Sequence, residues 1–299
     1  MTRTPMACIL TALIAMAPLS AVRAQNFNSV QMRVLPVQGA VSMITGRGGN
    51  IGLFVGDEAV LLVDDQFAPL SAKLLAAVAE VTDQPIDFVI NTHWHADHTD
   101  GNENLGKMGA LIVAHDNVRR RLVLRHFAEQ AEGFVSAPAL PVVTFSEAVT
   151  FHLNGEEVRV FKVAPGHTDG DAIVHFTGSD VIHMGDIFFN GLYSFFDRSS
   201  GGRLDGMIAA LQQGLALAGL ETKFIPGHGP LADRDDIEAH TARMVEIRRR
   251  VAEAIEQGVS KADFIAAKPT ADLAEAFTGA YQVMPADRFL ALVYDDLSR

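Results

Sequence analysis

Three histidines and two aspartates crowd into the stretch NTHWHADHTDGN, which runs from Asn91 to Asn102. Side chains repeat every two residues on one face of a strand and every 3.6 residues on one face of a helix. His93, His95, Asp97 and His98 fit neither spacing as a single face. A loop at the end of the preceding IDFVINT segment, which is typical of a buried strand, could turn them toward one point. Imidazole and carboxylate groups gathered in this way are ligands of zinc. Burying them together without a cation would cost several kcal/mol for each group, so the stretch predicts a metal site.

Three more polar residues follow β-type segments farther along the chain: His167 in VAPGHTDGD, Asp186 in VIHMGDIFF and His228 in FIPGHGP. The glycines beside them permit tight turns. Together with the first four residues they supply seven nitrogen or oxygen ligands, about what two four- or five-coordinate ions need with a shared water. The remaining histidines are expected to be ordinary core residues with satisfied hydrogen bonds. They are His115, His126, His152, His175, His183 and His240.

The HxHxDH motif and the three ordered residues after it resemble the metallo-β-lactamase superfamily of hydrolases, over residues 34–232. The resemblance implies an α/β fold, a four-layer αβ/βα sandwich with the site at one edge of two packed sheets. It also implies a zinc-dependent hydrolase that binds two Zn(2+) ions per chain, in which the metals supply the nucleophile. No G-x-S-x-G element for a serine nucleophile occurs in the sequence.

Carried over residue by residue, the resemblance assigns the first zinc to His93, His95 and His167, and the second to Asp97, His98 and His228. Asp186 would bridge the two ions or favour the second. Asp97 is also expected to orient the zinc-bound hydroxide. Asp64, at the end of VLLVD, matches an acidic position that supports the site in this superfamily, and we expect it to orient a ligand imidazole from behind.

The elements that would position these residues repeat one plan. AVSMI, NIGLFVG and AVLLVDD are typical of an antiparallel meander, and a helix is predicted over 69–82. AVTFHL, EVRVFKV, AIVHF and DVIHMGD are predicted strands of a second half, followed by the helical segment RLDGMIAALQQGLALAG. A strand at KFIP then precedes a long helix over about 233–257. Residues 25–299 are interpreted as a single metallo-hydrolase domain whose C-terminal helical tail starts at about 260.

Residues 1–24 are predicted to be a signal peptide, because Arg3 precedes an apolar run from Met6 to Leu19 and the sequence VRA ends the segment. A membrane anchor is the alternative, but Pro18 interrupts the run and it is shorter than the roughly 20 residues of a spanning helix. Cleavage would leave a periplasmic protein without membrane attachment. The only cysteine, Cys8, lies in this segment, so the mature chain would contain no disulfide and no thiolate metal ligand.

The net charge of the chain indicates which kinds of partner it can bind. The 24 basic and 36 acidic residues give a net charge of −12, and removal of two arginines with residues 1–24 gives 22 − 36 = −14. A surface this negative repels nucleic acid and anionic lipid, so a small-molecule substrate is expected. The sequence does not determine the oligomeric state.

The substrate is less constrained than the site. Export favours β-lactams, which act in the periplasm, and a β-lactamase is the leading interpretation. Asp186 and Phe189 argue for a lactone, ester or thioester, because related lactamases usually have Cys or Ser at the former position and a basic residue at the latter. Arg198 or Arg203 could hold a substrate carboxylate instead.

Three further features leave alternatives open. The GRGGN segment (46–50) could be a mobile flap or an ordinary hairpin, and the aromatic stretch over 188–196 could line a pocket or belong to the core. A catalytically idle metal-binding or partner-binding protein is the interpretation from another class. A di-iron redox protein is a weaker one, since no flavin partner domain is evident.

Overall fold

The computed structural model describes residues 27–129, 137–277 and 284–298, and for 126–129 it describes the backbone alone. The predicted signal peptide, residues 1–24 with Cys8, lies outside these ranges. Within them, every helix is too short or too polar to cross a bilayer.

Seven strands form the first sheet, and their order in the sheet follows the chain. They are β1 (Arg33–Gln38), β2 (Val41–Thr45), β3 (Ile51–Val55), β4 (Val60–Val63), β5 (Phe88–Asn91), β6 (Leu111–His115) and β7 (Val143–Phe145). The first four pair antiparallel, which confirms the predicted meander, whereas β5, β6 and β7 are added in parallel. The sequence pattern did not identify β1, β6 or β7.

The second sheet has five strands in the order β12-β11-β10-β9-β8. They are β8 (Ala148–Leu153), β9 (Glu156–Lys162), β10 (Ala172–Phe176), β11 (Val181–Phe189) and β12 (Lys223–His228). Four antiparallel strands are again followed by a parallel one, so the second half repeats the pairing of the first, as predicted.

Eight α-helices lie in the described ranges. They are α1 (Ser71–Val78), α2 (Ala96–Thr99), α3 (Asn102–Lys107), α4 (Asp116–Glu129), α5 (Leu204–Leu217), α6 (Arg234–Glu256), α7 (Lys261–Ala266) and α8 (Ala286–Leu297). The long α6 begins where the sequence predicts because Asp233 and Asp236 form a reciprocal capping box that satisfies free backbone N–H groups. Past residue 260 the described chain contains α7, a 3-10 turn and α8.

Successive side chains of a strand point to opposite faces of its sheet, and this alternation produces four layers. In β4, Leu61 and Val63 point into the core between the two sheets, where they meet residues of the second sheet such as Phe176. Val60 and Leu62, on the other face, join the core that includes Leu74 of α1. The second sheet packs its outer face against α5, α6 and α8 in the same way. Helices therefore cover both outer sheet faces, and the predicted αβ/βα sandwich is confirmed.

The two sheets are also joined through backbone hydrogen bonds at one edge. Asn50 N, before β3, donates to Gly227 O of β12 over 2.8 Å. Ala172 N, at the start of β10, donates to Thr92 O just past β5 over 2.9 Å. These bonds fix the edge at which the predicted ligands lie.

Candidate metal centre

The HxHxDH run leaves the first sheet at the end of β5. His93 and His95 lie in the loop beyond that strand, as expected, with His93 in a bend. Asp97 and His98 differ from the predicted loop, because they lie in the single helical turn α2. Thr99 stabilises this turn with a 3.0 Å hydrogen bond from its hydroxyl to His95 O. The helical turn places Asp97 and His98 in a second group beside the first, with the His98 ring centroid 4.3 Å from that of His93.

The other three predicted ligands come from the second sheet. His167 lies in the loop between β9 and β10, and His228 is the last residue of β12. Asp186 was predicted to follow a strand, and this was wrong, since it lies inside β11. The strand pairing shifts register on both sides of Gly185, whose φ of +50° is easily adopted only by glycine. This irregularity brings the Asp186 carboxylate to the histidines from within the strand.

A first group contains His93, His95, His167 and Asp186, whose candidate ligand atoms all lie within 4.8 Å of one another. His95 Nδ1 is 2.8 Å from His167 Nε2. Asp186 Oδ2 lies 3.4 Å from His167 Nε2 and 3.9 Å from His93 Nε2. Three ring nitrogens and one carboxylate oxygen therefore converge on one point.

A second group contains Asp97, His98 and His228, again with ligand atoms within 4.8 Å. Asp97 Oδ2 is 3.3 Å from His228 Nε2 and 3.7 Å from His98 Nε2. Asp186 reaches this group as well, with Oδ1 3.1 Å from His98 Nε2 and Oδ2 3.4 Å from His228 Nε2. Its carboxylate lies between the two groups, which fits the bridging alternative better than a preference for the second group.

The donor set fits metal ions. His93 Nε2 is buried, points into the first group and makes no hydrogen bond within the described part of the chain. An orphaned buried nitrogen is costly unless a cation binds it. All seven residues offer nitrogen or oxygen, and such mixed imidazole and carboxylate sets suit zinc and other divalent transition metals.

The protonation preferences of the bare site also point to a cation. Burial disfavours charge, yet Asp186 and Asp97 raise the pKa of His228 to about 9. Burial likewise opposes ionisation of Asp97, but His98 and His228 lower the pKa of this carboxyl to about 2. The carboxylates are therefore ionised and draw positive charge toward the centre.

Asp64 holds one of the ligand imidazoles from behind, as the resemblance implied. Its Oδ2 is 2.7 Å from His98 Nδ1 and accepts the Thr92 hydroxyl over 2.8 Å. Thr92 N donates to Asp64 Oδ1 over 2.8 Å. Asp64 has a φ of +66°, a backbone region that aspartate tolerates better than most residues. An Nδ1–H directed at Asp64 leaves His98 Nε2 available to a metal.

Two further aspartates contact the first group, and the sequence pattern did not single them out. Asp171 accepts the backbone N–H groups of His167 and Thr168 over 2.7 and 2.9 Å. Asp197 lies 3.3 Å from His95 Nε2 through its Oδ2. Asp171 is only four residues from His167, the candidate ligand that it contacts, so the turn-forming sequence HTDGD was an available signal. Asp197 is distant in sequence from His95, and nothing local links the two.

The GRGGN segment, which joins β2 and β3, lies beside the second group. Gly49 N donates to Asp97 O over 3.1 Å, and Gln66 Nε2 donates to Gly49 O over 2.7 Å. A Cβ on Gly49 would overlap the His98 imidazole. Asn50 Nδ2 donates to carbonyl oxygens in and beyond β12. These contacts join the loop to both sheets and favour the hairpin interpretation over a mobile flap.

The aromatic stretch after Asp186 belongs mostly to the core. Phe188, Phe189, Tyr193 and Phe196 are buried among α5, α6 and α8, whereas Phe195 is half-buried. The Phe195 ring centroid lies 6.3 Å from that of His95. The Phe189 ring stacks on His228 with centroids 5.3 Å apart. Within this stretch, the pocket interpretation retains support only at Phe195.

Both arginines proposed to hold a substrate carboxylate lie close to an aspartate of the chain itself. Arg198 Nε and an Arg203 Nη lie 3.8 and 3.4 Å from Oδ1 of Asp296 in α8. The other Asp296 oxygen accepts Leu204 N at the start of α5. Both side chains thus lie within ion-pairing distance of a buried carboxylate, although Arg198 Nε and Asp296 Oδ1 make no hydrogen bond within the described residues.

Among the remaining histidines, His115, His183 and His240 are buried and each makes a hydrogen bond, as expected of core residues, although Nδ1 of His240 has no partner in the described part of the chain. His175 is partly buried. The core prediction was wrong for His152, whose side chain is 74% exposed because it alternates outward on edge strand β8. The His126 side chain lies outside the described residues.

Comparison with known proteins agrees with this geometry. The profile of the metallo-β-lactamase superfamily matches residues 44–250, more than half of the chain and all seven candidate ligands. The chain belongs to the metallo-β-lactamase superfamily. It is therefore a member of a superfamily of hydrolytic metalloenzymes.

Individual relatives of this superfamily member are distant. It is 29% identical over 185 residues to a hydroxyacylglutathione hydrolase of Brucella ovis, covering 61% of this chain and 63% of the relative. It is 26% identical over 163 residues to the 2,4-dinitroanisole O-demethylase subunit alpha of Nocardioides sp., covering 54% of this chain and 47% of the relative. The chain thus spans less than two thirds of either curated relative.

Solved structures support the fold. A metallo-beta-lactamase from Pontibacter korlensis superposes with a TM-score of 0.59 at 20% identity, covering 72% of this chain and 99% of the other. At this identity the likeness shows a shared architecture.

Proposed function

We propose that this metallo-β-lactamase superfamily member is a two-zinc hydrolase that cleaves an ester, lactone or thioester of a small molecule. The observation that carries the proposal is the position of Asp186. Its Oδ2 lies 3.4 Å from both His167 Nε2 and His228 Nε2, and it therefore joins the two groups. A carboxylate in this position can neutralise and hold two cations at once.

Two Zn(2+) ions per chain are proposed because each group, counting Asp186 in both, offers four protein ligands of the types zinc binds. The first comprises three imidazoles and Asp186, and the second comprises two imidazoles, Asp97 and Asp186. When bound, a zinc pair supplies a water of lowered pKa and polarises the bond to be cleaved.

Asp97 is proposed as the catalytic side chain. It is 27% exposed, the most accessible of the carboxylates in the site, and its pKa of about 2 keeps it ionised at neutral pH despite its burial. An ionised carboxylate can accept a hydrogen bond from the attacking water and orient a lone pair toward the substrate carbonyl. Asp64 and Asp186 are buried and committed to imidazoles, so they hold the ligands in place.

The surroundings of Asp186 favour an acyl ester or thioester over a β-lactam. A β-lactam carries a carboxylate that needs a cationic partner, and Phe189 stacks on His228 where related lactamases place a basic residue. Arg198 and Arg203 are paired with Asp296. The likeness to a hydroxyacylglutathione hydrolase, a protein named for the hydrolysis of an acylated glutathione, points the same way.

β-Lactam hydrolysis is the second candidate. The observation that favours it is the N-terminal segment 1–24, from which we also propose export to the periplasm, where β-lactams act. The metal chemistry is the same for both substrates, because each presents a carbonyl to be attacked. The two candidates therefore differ in how the rest of the substrate is held.

Rates on matched substrates test the proposal. The zinc-loaded protein from Gln25 onward is given a hydroxyacyl thioester of glutathione, a lactone, a penicillin, a cephalosporin and a carbapenem, with and without a chelator. We expect chelator-sensitive hydrolysis with a kcat/KM at least 10-fold higher on the thioester or lactone than on any β-lactam. A preference for a β-lactam would overturn the substrate assignment, and chelator-resistant turnover would overturn the mechanism. His152→Ala, which alters an exposed histidine far from the ligands, should match the parent.

A further inference from the structure

One segment that contributes no ligand contacts two histidines of the first group. Phe195 O accepts His167 Nδ1–H over 2.7 Å. Two residues later, Asp197 Oδ2 lies 3.3 Å from His95 Nε2. The outward nitrogens of both rings are therefore held by residues 195–197, while His95 Nδ1 and His167 Nε2 face each other 2.8 Å apart.

The Asp197 carboxylate is itself fixed by a compact turn. Its Oδ1 accepts Ser199 N over 2.9 Å and the Ser199 hydroxyl over 2.5 Å. Its Oδ2 accepts the Ser200 hydroxyl, whose oxygen in turn accepts Trp94 Nε1–H over 3.1 Å. Trp94 is the residue between His93 and His95, so the turn is connected to the ligand run at two points.

The backbone ties the same turn to the other histidine. Asp197 N donates to His167 O over 2.7 Å, and Gly202 N returns to Asp197 O over 2.8 Å. Gly201, with a φ of +83°, closes the turn in a conformation that suits glycine. Asp197 is thus bonded through its main chain to one ligand and through its side chain to another.

We propose that Asp197 is a positioning residue that selectively supports the first metal, by fixing the ring orientation and tautomer of His95. A hydrogen bond from His95 Nε2–H to Asp197 leaves the lone pair on Nδ1, the atom directed into the first group. The second group has a support of the same kind, since Asp64 contacts His98 directly, and Asp64 also reaches His93 of the first group through the Thr92 hydroxyl. Each group thus has a buried or half-buried carboxylate behind one of its imidazoles. The inference rests on the proposed metal binding.

Zinc affinity in a single-site background tests the inference. His228→Ala removes a ligand of the second group and leaves the first group complete. In that background Asp197→Asn should weaken zinc binding roughly 10- to 100-fold, because the amide N–H₂ would face His95 Nε2 and favour the tautomer with hydrogen on Nδ1. Asp205→Asn is the matched control, since this aspartate is exposed and pairs with Arg248 on the helical side.

The outcomes are distinguishable. A His228→Ala protein that binds no zinc would contradict the proposed metal centre itself. Zinc affinity that is unchanged by Asp197→Asn, or that Asp205→Asn weakens as much, would overturn the inference and leave the proposed function standing. Ser200→Ala removes only one hydrogen bond to the carboxylate, and we expect a threefold to 10-fold weakening. Zinc affinity that Ser200→Ala leaves unchanged would also count against the inference. This second variant tests the inference even if Asp197→Asn does not fold.

Discussion

The carboxylate of Asp64 and the imidazole of His98 are in direct contact, with Oδ2 2.7 Å from Nδ1 and both side chains fully buried. Asp64 lies in the turn after β4, and His98 lies in α2 after β5, so two adjacent parallel strands deliver the pair. The contact fixes which nitrogen of His98 faces Asp97 and Asp186. His98 of the second group is therefore held from the first sheet.

Replacing this carboxylate should weaken the second metal. We expect Asp64→Asn to reduce affinity for the second zinc about 10- to 100-fold, because an amide cannot accept hydrogen bonds at both ends. Asparagine tolerates the positive φ of this position, so the backbone should persist. Stepwise zinc titration of the metal-stripped protein measures the effect, with Asp205→Asn as control. Two unchanged binding steps would show that the contact is not needed for affinity.

Loss of a ligand should be more severe. His228→Ala and Asp97→Ala are each expected to lower turnover at least 10-fold and to lower zinc content below two per chain, because each removes a ligand of the second group. His152→Ala should change neither quantity, since that side chain is 74% exposed. Full metal content with an unchanged rate in either ligand variant would contradict the assignment.

Gly49→Ala tests the packing of the β2–β3 loop against the site. The added methyl group would overlap the His98 ring, so either the ring or the loop must move. We expect a loss of about 1–3 kcal/mol in the free energy of unfolding and a weaker second zinc. Gly219→Ala is the control, because its Cβ would meet only the Thr222 hydroxyl at 3.7 Å. Equal effects of the two substitutions on zinc affinity would refute the steric argument.

Much of the fold and site follows from local sequence, and the rest depends on long-range contacts. The HxHxDH run and the glycine-flanked His167 and His228 are predictable because each lies at or shortly after the end of a strand with a clear apolar pattern. Strands β1 and β7 are not, because they lie at the edge of the sheet and alternate weakly between buried and exposed residues. The placement of Asp186 inside β11 depends on a register shift, and register is set by the neighbouring strand.

The residues that support the ligands also divide into those that local sequence predicts and those that depend on long-range contacts. Asp64 is predictable because it matches an acidic position of the superfamily at the end of the VLLVD segment, whereas Asp197 supports a histidine 102 positions earlier in the chain. The pairing of Arg198 and Arg203 with Asp296 likewise joins the loop after β11 to α8, which no local pattern indicates. Contacts of this kind appear only when elements distant in the sequence are packed together.

Acid should destabilise the protein partly through His240. This histidine is fully buried, with Nε2 3.2 Å from the Ser194 hydroxyl, and burial together with Arg243 lowers its pKa to about 3. The unfolded chain binds a proton near pH 6.5 that the folded chain does not bind until about pH 3, so this stability is present above pH 6.5 and is lost as the pH falls through that window.

His240→Gln removes this titration while keeping a polar group near Ser194. Between pH 7 and pH 4.5, the free energy of unfolding of the metal-stripped parent should fall by about 2–3 kcal/mol more than that of the metal-stripped variant. Denaturant unfolding at the two pH values measures the difference. Parallel losses in parent and variant would show that His240 does not contribute.

The most direct test of the two-metal site is a zinc titration of the metal-stripped protein from Gln25 onward, with bound zinc and thioester or lactone hydrolysis followed together. The account predicts no hydrolysis without metal, two zinc ions bound per chain at saturation and full activity only when both are present. Binding of less than one zinc per chain, or hydrolysis that persists in a chelator, would contradict it.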